Sequence, residues 1–281
     1  MENLFAYAFM QRAFLAGFLI SLTCGVLGVF LVLRRDAMIG HGLAHVTFGG
    51  VALGLFLYIT PILVALIVAV FSALGILKLK ERAGLYGDTA IGIVSSLGMA
   101  LGIILVSLAG SYKVDLFGYL FGNVLAIQPM EVWLSLILAL VVLFIIALFY
   151  QEIVFMTFDP ESAKTSGVRV SRLDTLLAML TAVTVVLGMK VVGILLVSAL
   201  LIIPAAAALQ VSRSFREALI LSAVLSGCSA ILGLIGAFYL DWPVSGTIVS
   251  VATLLFLILF GARHRRKTVG NGLAVPGPSG R

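Results

Sequence analysis

The stretch LRRDAMIGHGLAHVTFGGVALG, residues 33–54, decides the fold and carries the most informative polar residues of the chain. Two arginines and an aspartate precede a run of apolar and small residues, and His41 and His45 stand at the head of that run. Because positions i and i+4 lie one turn apart on the same face of a helix, the two imidazoles are predicted to be neighbours. The chain has 3 histidines in all, and two of them are here.

Apolar segments of similar length recur along the rest of the 281-residue chain. Hydrophobic residues make up 62% of it and charged residues 11%, whereas soluble domains carry about 25% charged residues. Runs of about 20 apolar residues are long enough to cross ~30 Å of hydrocarbon as helices. The alternating pattern of a transmembrane β-barrel is absent. The composition predicts an all-α, polytopic membrane helix bundle and excludes a soluble protein.

Hydropathy places about nine spans along the chain, roughly at 13–33, 40–58, 61–79, 88–109, 131–150, 173–189, 191–211, 217–239 and 244–261. The basic residues follow the odd-numbered spans, in the segments 34–35, 78–82, 164–172, 213–216 and 263–267. Because basic loops stay in the cytoplasm, the N-terminus is predicted outside and the C-terminus inside. Topology then accounts for the net charge of +6, and no nucleic-acid partner is predicted.

Residues 110–130 are too apolar for an ordinary loop and too broken for a clean span. They are predicted to form a re-entrant or interfacial helix, because irregular backbone is tolerated when it is buried against the bundle. A full crossing would raise the count to ten spans and place the basic loops on opposite sides. Asp115, within this segment, could line an outer vestibule or be a solvated loop residue.

The histidine pair is predicted to bind a metal ion, since ionisable residues inside a span are costly and usually functional. If the span starts near Ala37, His45 lies ~12 Å into the helix, near the bilayer midplane. Neutral imidazole suits zinc and similar transition metals. The alternative is that both histidines are structural, hydrogen-bonded between helices.

Two nitrogens leave a zinc shell incomplete, because zinc normally takes four ligands. The others could be water, a carboxylate, or the same pair from a second copy across a two-fold axis. An incomplete shell suits transport, because the ion must also leave. Asp88, at the start of the fourth span, is a candidate carboxylate, and its alternative role is the N-cap of that span.

Residues 151–172 form the longest predicted cytoplasmic connection, and residues 268–281 are predicted to be a disordered tail beyond a single membrane domain of residues 1–267. Within the connection, Asp159 can cap a short helix, Pro160 fits its first position and Gly167 can end it. This helix is either a well-capped connector or a docking element for another protein.

Motifs for catalysis are missing from the sequence. It has no phosphate-binding G-x-x-x-x-G-K-[ST] loop, so the chain is not expected to hydrolyse ATP itself. It also lacks H-E-x-x-H and G-x-S-x-G, which argues against a membrane protease or lipase. A secondary transporter or channel driven by the ion gradient is a second hypothesis, but it would need buried carboxylates and commonly an internal repeat.

Seven motifs in order resemble the membrane permease subunit of bacterial zinc and manganese ABC importers, most closely the zinc-uptake branch. They lie at residues 9–17 (FMQRAFLAG), 30–35 (FLVLRR), 43–54 (LAHVTFGGVALG), 88–103 (DTAIGIVSSLGMALGI), 115–127 (DLFGYLFGNVLAI), 158–168 (FDPESAKTSGV) and 191–208 (VVGILLVSALLIIPAAAA). The resemblance runs from about residue 7 to 262 and implies a multi-pass protein of the bacterial cytoplasmic membrane.

The resemblance implies a homodimer of permeases, two cytoplasmic ATPase subunits and an external metal-binding protein that delivers the ion. It makes residues 151–172 part of the ATPase docking surface, with Asp159, Pro160, Glu161, Lys164 and Gly167 as its residues. Family permeases typically carry Asp-x-x-x-His in the second span. The histidine falls on His45, whereas the aspartate position holds His41, and this departure favours zinc over manganese or iron as cargo. No permanently bound cofactor is expected.

Overall fold

The computed structural model describes residues 7–108, 118, 122 and 127–272, with side chains as far as 262. Within these residues the chain forms eleven α-helices, numbered here in chain order: α1 Ala8–Leu33, α2 Ile39–Phe56, α3 Pro61–Ala83, α4 Gly87–Leu108, α5 Pro129–Leu148, α6 Tyr150–Phe158, α7 Pro160–Thr165, α8 Val170–Val192, α9 Ile194–Val211, α10 Phe215–Leu240 and α11 Val244–Gly272. Asp115 and most of segment 110–130 lie outside the described residues. The backbone of α11 stays helical past residue 267, and the rest of the predicted tail, 273–281, lies outside the description.

All the described helices except α6 and α7 are long and apolar enough to cross a membrane. These nine helices confirm, for the described residues, the predicted all-α polytopic bundle. The third span extends to Ala83, beyond the predicted end at 79, because its last turn projects basic side chains from the apolar part of the helix. It stops at Gly84, whose φ of 59° is the left-handed conformation that commonly ends a helix.

Helix α2 lies inside the bundle and packs against α3 and α4 through glycines. A Cβ atom on Gly49 would lie 2.4 Å from the carbonyl oxygen of Gly98 on α4, and one on Gly50 would lie 2.7 Å from the Cα of Ala65 on α3. Such close backbone approach is how membrane helices associate without a hydrophobic driving force. Within the apolar membrane-spanning stretch of each helix, 72% of the residues of α2 are buried, whereas 11% of those of α4 are.

A second set of close contacts joins α1 to α9 and α10. A Cβ atom on Gly28 would overlap the carbonyl oxygen of Leu201 on α9. The Ser222 hydroxyl of α10 donates a 2.7 Å hydrogen bond to the carbonyl oxygen of Gly25. Small residues therefore set the spacing of the helices in both halves of the bundle.

The connections predicted to be cytoplasmic meet at one end of the bundle. Lys80 of α3 pairs with Asp36, at 2.5 Å between Nζ and Oδ1. Arg34, which follows α1, forms an ion pair with Asp174 near the start of α8. These pairs bring three of the basic connections to the same side, as the distribution of lysines and arginines predicts.

Aromatic rings extend this grouping to the connection between α9 and α10. The ring of Phe215, the first residue of α10, lies 5.2 Å from that of Phe30 and 5.9 Å from that of Phe158 (centroid to centroid). At the opposite end, Lys190 of α8 forms an ion pair with Glu131 in the first turn of α5. Of the described ion pairs, three lie at the end predicted to be cytoplasmic and this one lies at the opposite end.

Candidate metal site and docking segment

The two histidines of α2 form the candidate metal site. Their Nε2 atoms lie 3.1 Å apart, and the two rings are perpendicular with centroids 4.6 Å apart. The predicted neighbourhood of positions i and i+4 is therefore confirmed. His41 and His45 are the third and seventh residues of α2, so His45 lies about 9 Å from the start of the helix. This depth is less than the predicted ~12 Å, because the helix begins at Ile39 and not near Ala37. The predicted position near the bilayer midplane stays a prediction.

Burial distinguishes this pair from the rest of the helix. Every residue of α2 from Ile39 to Ala52 is buried except His41 and His45, which keep part of their surface open. The segment is held tightly on two sides: a Cβ on Gly40 would lie 2.5 Å from Leu201 of α9, and one on Gly42 would lie 2.5 Å from Ile91 of α4. The packing fixes the backbone and leaves the two imidazoles accessible.

The spacing of the two nitrogens fits one metal ion held between them. Two nitrogens of a tetrahedral zinc shell, with bonds of about 2.05 Å, would lie about 3.4 Å apart. Two adjacent nitrogens of an octahedral shell, with bonds of about 2.2 Å, would lie about 3.1 Å apart. The observed 3.1 Å is close to both values and is also the length of an ordinary hydrogen bond between the two ring nitrogens. The spacing is therefore compatible with a bound transition metal but does not select one.

Carboxylates do not complete the site within the described residues, where no three His, Cys, Asp or Glu side chains come together as a metal-binding group. Asp88 is exposed in the first turn of α4. It is not the N-cap, because the first carbonyl to accept a helical hydrogen bond is that of Tyr86, from the Ala90 amide at 3.2 Å. Asp115 lies outside the described residues, and its predicted role there stays a prediction.

The nearest acid along the chain, Asp36, is already engaged with Lys80. This pair and the Arg34–Asp174 pair were missed by the sequence reasoning. Asp174 had a usable signal, because a carboxylate near the start of an apolar span needs a partner. The identity of that partner could not be found without the fold.

The predicted docking segment forms two short helices at the end of the bundle predicted to be cytoplasmic, where the sequence predicted one helix. Helix α6 was not predicted, and its buried residues Ile153 and Met156 attach it to the core. Helix α7 has Ala163 as its buried residue and is otherwise exposed. The segment therefore consists of α6, which packs against the core, followed by α7, which is mostly exposed to solvent.

Helix α7 begins with the predicted cap. Asp159 Oδ1 accepts a 3.0 Å hydrogen bond from the Ser162 amide, and Pro160 occupies the first turn. The hydrogen bonds from Ser162 lower the pKa of the Asp159 carboxyl below its usual value. The carboxylate is thus charged and capping at neutral pH. Glu161 and Lys164 form an exposed pair at 3.8 Å.

The end of α7 also follows the prediction. Gly167 has φ 89°, and its amide donates to the Lys164 carbonyl at 3.1 Å. The next amide, of Val168, donates to the Ala163 carbonyl at 3.0 Å. These two bonds are the Schellman arrangement, in which glycine adopts the left-handed conformation at no steric cost.

In the part of the chain that the structure describes, nine helices are long and apolar enough to span a membrane, two imidazoles face each other on α2, and α7 is an exposed, capped helix. The chain belongs to the ABC 3 transport family, whose sequence model matches residues 6–262. It is therefore a multi-pass permease of a metal ABC importer, and it is the membrane subunit and not the ATPase.

Relatives named for manganese and for zinc are similar to the chain at nearly the same level. The manganese transport system membrane protein MntC of Listeria monocytogenes is 35% identical over 260 residues, with 92% of each chain covered. The high-affinity zinc uptake system membrane protein ZnuB of Haemophilus influenzae is 34% identical, with 90% of this chain and 97% of the relative covered. Overall identity therefore does not favour zinc over manganese.

A solved structure has the same fold. PsaBC from Streptococcus pneumoniae in complex with Fab matches with a TM-score of 0.82 and 32% identity, covering 92% of each chain. The comparison confirms that the predicted resemblance to metal importer permeases extends to the three-dimensional arrangement of the helices.

Proposed function

We propose that this permease carries zinc inward and that His41 and His45 bind the ion during passage. The observation that carries the proposal is the 3.1 Å separation of their Nε2 atoms within the otherwise buried stretch Ile39–Ala52 of α2. Two neutral imidazoles suit zinc, whereas manganese is better served by carboxylate oxygen. The family motif has aspartate at position 41, so the substitution by histidine supports zinc in this chain.

The proposed functional unit is a homodimer, in which the second copy supplies a second histidine pair and completes a four-nitrogen shell. The exposed side of α4 supports this assembly. Gly92, Ser96 and Ala100 lie one turn apart on α4, and all three are exposed. Small residues at this spacing allow close helix contact between two copies.

The proposed energy source is a separate cytoplasmic ATPase dimer, docked on α6 and α7 through Asp159, Pro160, Glu161, Lys164 and Gly167. The exposure of α7 at the basic end of the bundle supports this role. An external metal-binding protein is proposed to deliver the ion on the other side.

ATP-dependent uptake of zinc-65 tests the histidine pair in liposomes that contain the permease, its ATPase and its binding protein. His41→Ala and His45→Ala should each lower uptake by at least about tenfold, because each removes one of two ligands. His264→Ala, which removes the remaining histidine of the chain, is the control and should transport normally.

Assembly of each variant with the ATPase is checked by co-purification, so that a folding defect is not read as lost transport. Wild-type uptake in both assembled variants would show that the pair is structural. Uptake by the permease alone without ATP would instead support the gradient-driven transporter.

A further inference from the structure

A groove lies at the cytoplasmic end of the bundle between α6 and the start of α8. Its volume is about 620 Å³, within the range of small-molecule sites. It does not include the histidine pair, and it is lined by Phe149, Glu152, Ser166, Gly167, Val168, Arg169, Arg172, Leu173 and Leu176. These residues divide into a basic mouth and an apolar floor.

Two arginines form the mouth of the groove. Arg169 precedes the first residue of α8, and Arg172 follows one turn later. Both are exposed, and neither guanidinium has an ion pair or hydrogen bond to any residue that the structure describes. Glu152 is the one acid in the lining, so the groove has an excess of positive charge. The amino end of α8 adds the positive end of a helix dipole.

The floor of the groove reaches from the cytoplasmic surface toward the membrane interior. Phe149 directly follows the last residue of the spanning helix α5. Leu173 and Leu176 lie in the first two turns of the spanning helix α8, and Leu176 is about 9 Å from its start. A ligand that fills the groove therefore touches basic residues in the headgroup layer and apolar residues in the hydrocarbon.

We propose that the groove binds an anionic phospholipid of the cytoplasmic leaflet. Its phosphate contacts Arg169 and Arg172, and one acyl chain lies on Phe149, Leu173 and Leu176. Basic pockets between helices on the cytoplasmic side are suited to anionic headgroups. A free phosphate ion would use the arginines alone and leave the apolar floor uncovered.

The position of the groove gives the lipid a second contact. Ser166 and Gly167, in its wall, are the residues by which the chain leaves α7. A bound lipid therefore packs beneath the exposed helix proposed to dock the ATPase. The groove shares Gly167 with the proposed docking surface. The residues proposed to contact the lipid, Phe149, Arg169, Arg172, Leu173 and Leu176, belong neither to that surface nor to the histidine pair, so lipid retention tests the site separately from ATPase docking and from metal identity.

Lipid retention tests the site directly. The purified permease is reconstituted in phosphatidylcholine vesicles that contain phosphatidylglycerol, extracted in mild detergent, and its bound lipid is measured by native mass spectrometry. Wild type should retain phosphatidylglycerol, whereas Arg169→Gln/Arg172→Gln should retain at least about fivefold less. Lys78→Gln/Arg82→Gln is the matched control, because it removes two exposed basic residues at the same end but outside the groove. It should retain the wild-type amount.

A second variant tests the apolar floor. Leu176→Trp fills the groove and leaves both arginines in place, so it should also lose the lipid. Loss in the arginine variant with full retention in Leu176→Trp, together with displacement by inorganic phosphate, would overturn the lipid site in favour of a simple anion site. Equal retention in all variants would overturn it as well. If the arginine variant keeps its lipid but fails to co-purify with the ATPase, the groove is a protein contact and the proposal is wrong.

Discussion

At the scale of single residues, position 41 offers the most direct test of metal preference. His41→Asp introduces the carboxylate that the resemblance to family permeases implies at this position, and it keeps His45 in place. The ratio of manganese to zinc uptake should rise by about tenfold, because a hard oxygen replaces a nitrogen ligand. Competition between manganese-54 and zinc-65 in the reconstituted importer gives this ratio.

His41→Asn is the matched control for this change. It has the size of aspartate but no charge, so it should lower zinc uptake without the gain for manganese. An unchanged ratio in His41→Asp would show that residue 41 does not select the metal.

The histidine pair could be predicted from the sequence because helical periodicity is local information: four residues along the chain fix one turn of rise. The ion pairs of Arg34 with Asp174 and of Asp36 with Lys80 could not be predicted. Their partners lie on different helices, and only the packing of α1, α3 and α8 brings them together. Further ligands for the proposed metal site cannot be predicted from the sequence for the same reason, since any that exist would come from other helices or from a second copy.

At the scale of elements, the capped helix α7 can be separated from the rest of the docking segment by changing Asp159. Asp159→Ala removes the acceptor of the 3.0 Å bond from the Ser162 amide and should unwind the first turn of α7. We expect lower ATP-dependent uptake with the same metal affinity. Uptake and metal binding are measured on the same preparation.

Asp159→Asn keeps an acceptor oxygen and should retain most of the uptake. The pH dependence has a definite sign. Since the pKa of Asp159 is lowered in the folded protein, its contribution to the stability of α7 is complete at neutral pH. It is lost only when the pH falls through that lowered pKa. Equal loss in both variants would assign the effect to charge and not to capping.

The contact between α2 and α4 depends on the absence of a side chain at position 49. Gly49→Ala would place a Cβ atom 2.4 Å from the Gly98 carbonyl oxygen and should lower the free energy of unfolding by about 1–3 kcal/mol. The thermal midpoint of the purified permease reports this change. Gly75→Ala on α3 is the control, because nothing lies within 4 Å of its Cβ position. A midpoint for Gly49→Ala equal to that of the control would contradict the close contact.

These elements were predicted with unequal success, and the reason is physical. The long spans follow from hydropathy, since each must cover the same hydrocarbon thickness. Helix α6 was missed because nine residues at the membrane surface leave no such length requirement. Its apolar residues Ile153 and Met156 face the core, a fact that depends on neighbours and not on its own composition.

At the scale of the whole molecule, the ion pair between Arg34 and Asp174 joins the first span to the helix that follows the docking segment. Arg34→Ala should lower the free energy of unfolding by about 1–3 kcal/mol, because it leaves a mostly buried carboxylate without its partner. Chemical denaturation of the solubilised permease measures the loss. Arg35→Ala is the matched control, since the Arg35 side chain is exposed. Its backbone has φ 60°, and alanine and arginine both carry a Cβ atom, so the substitution does not change the backbone strain at that position. Equal effects would show that the Arg34 pair contributes nothing specific.

The glycine contacts of α2 also constrain how the molecule can move. At Gly49 and Gly50, α2 meets backbone atoms of α4 and α3 directly, so at these two points no side chain can change rotamer to let one helix slide past the other. Helices α2, α3 and α4 should therefore move together as one rigid body. His41 and His45 belong to this rigid unit. A metal ion bound to them, as proposed, would therefore change the side it faces by rotation of the whole unit and not by a shift of α2 alone.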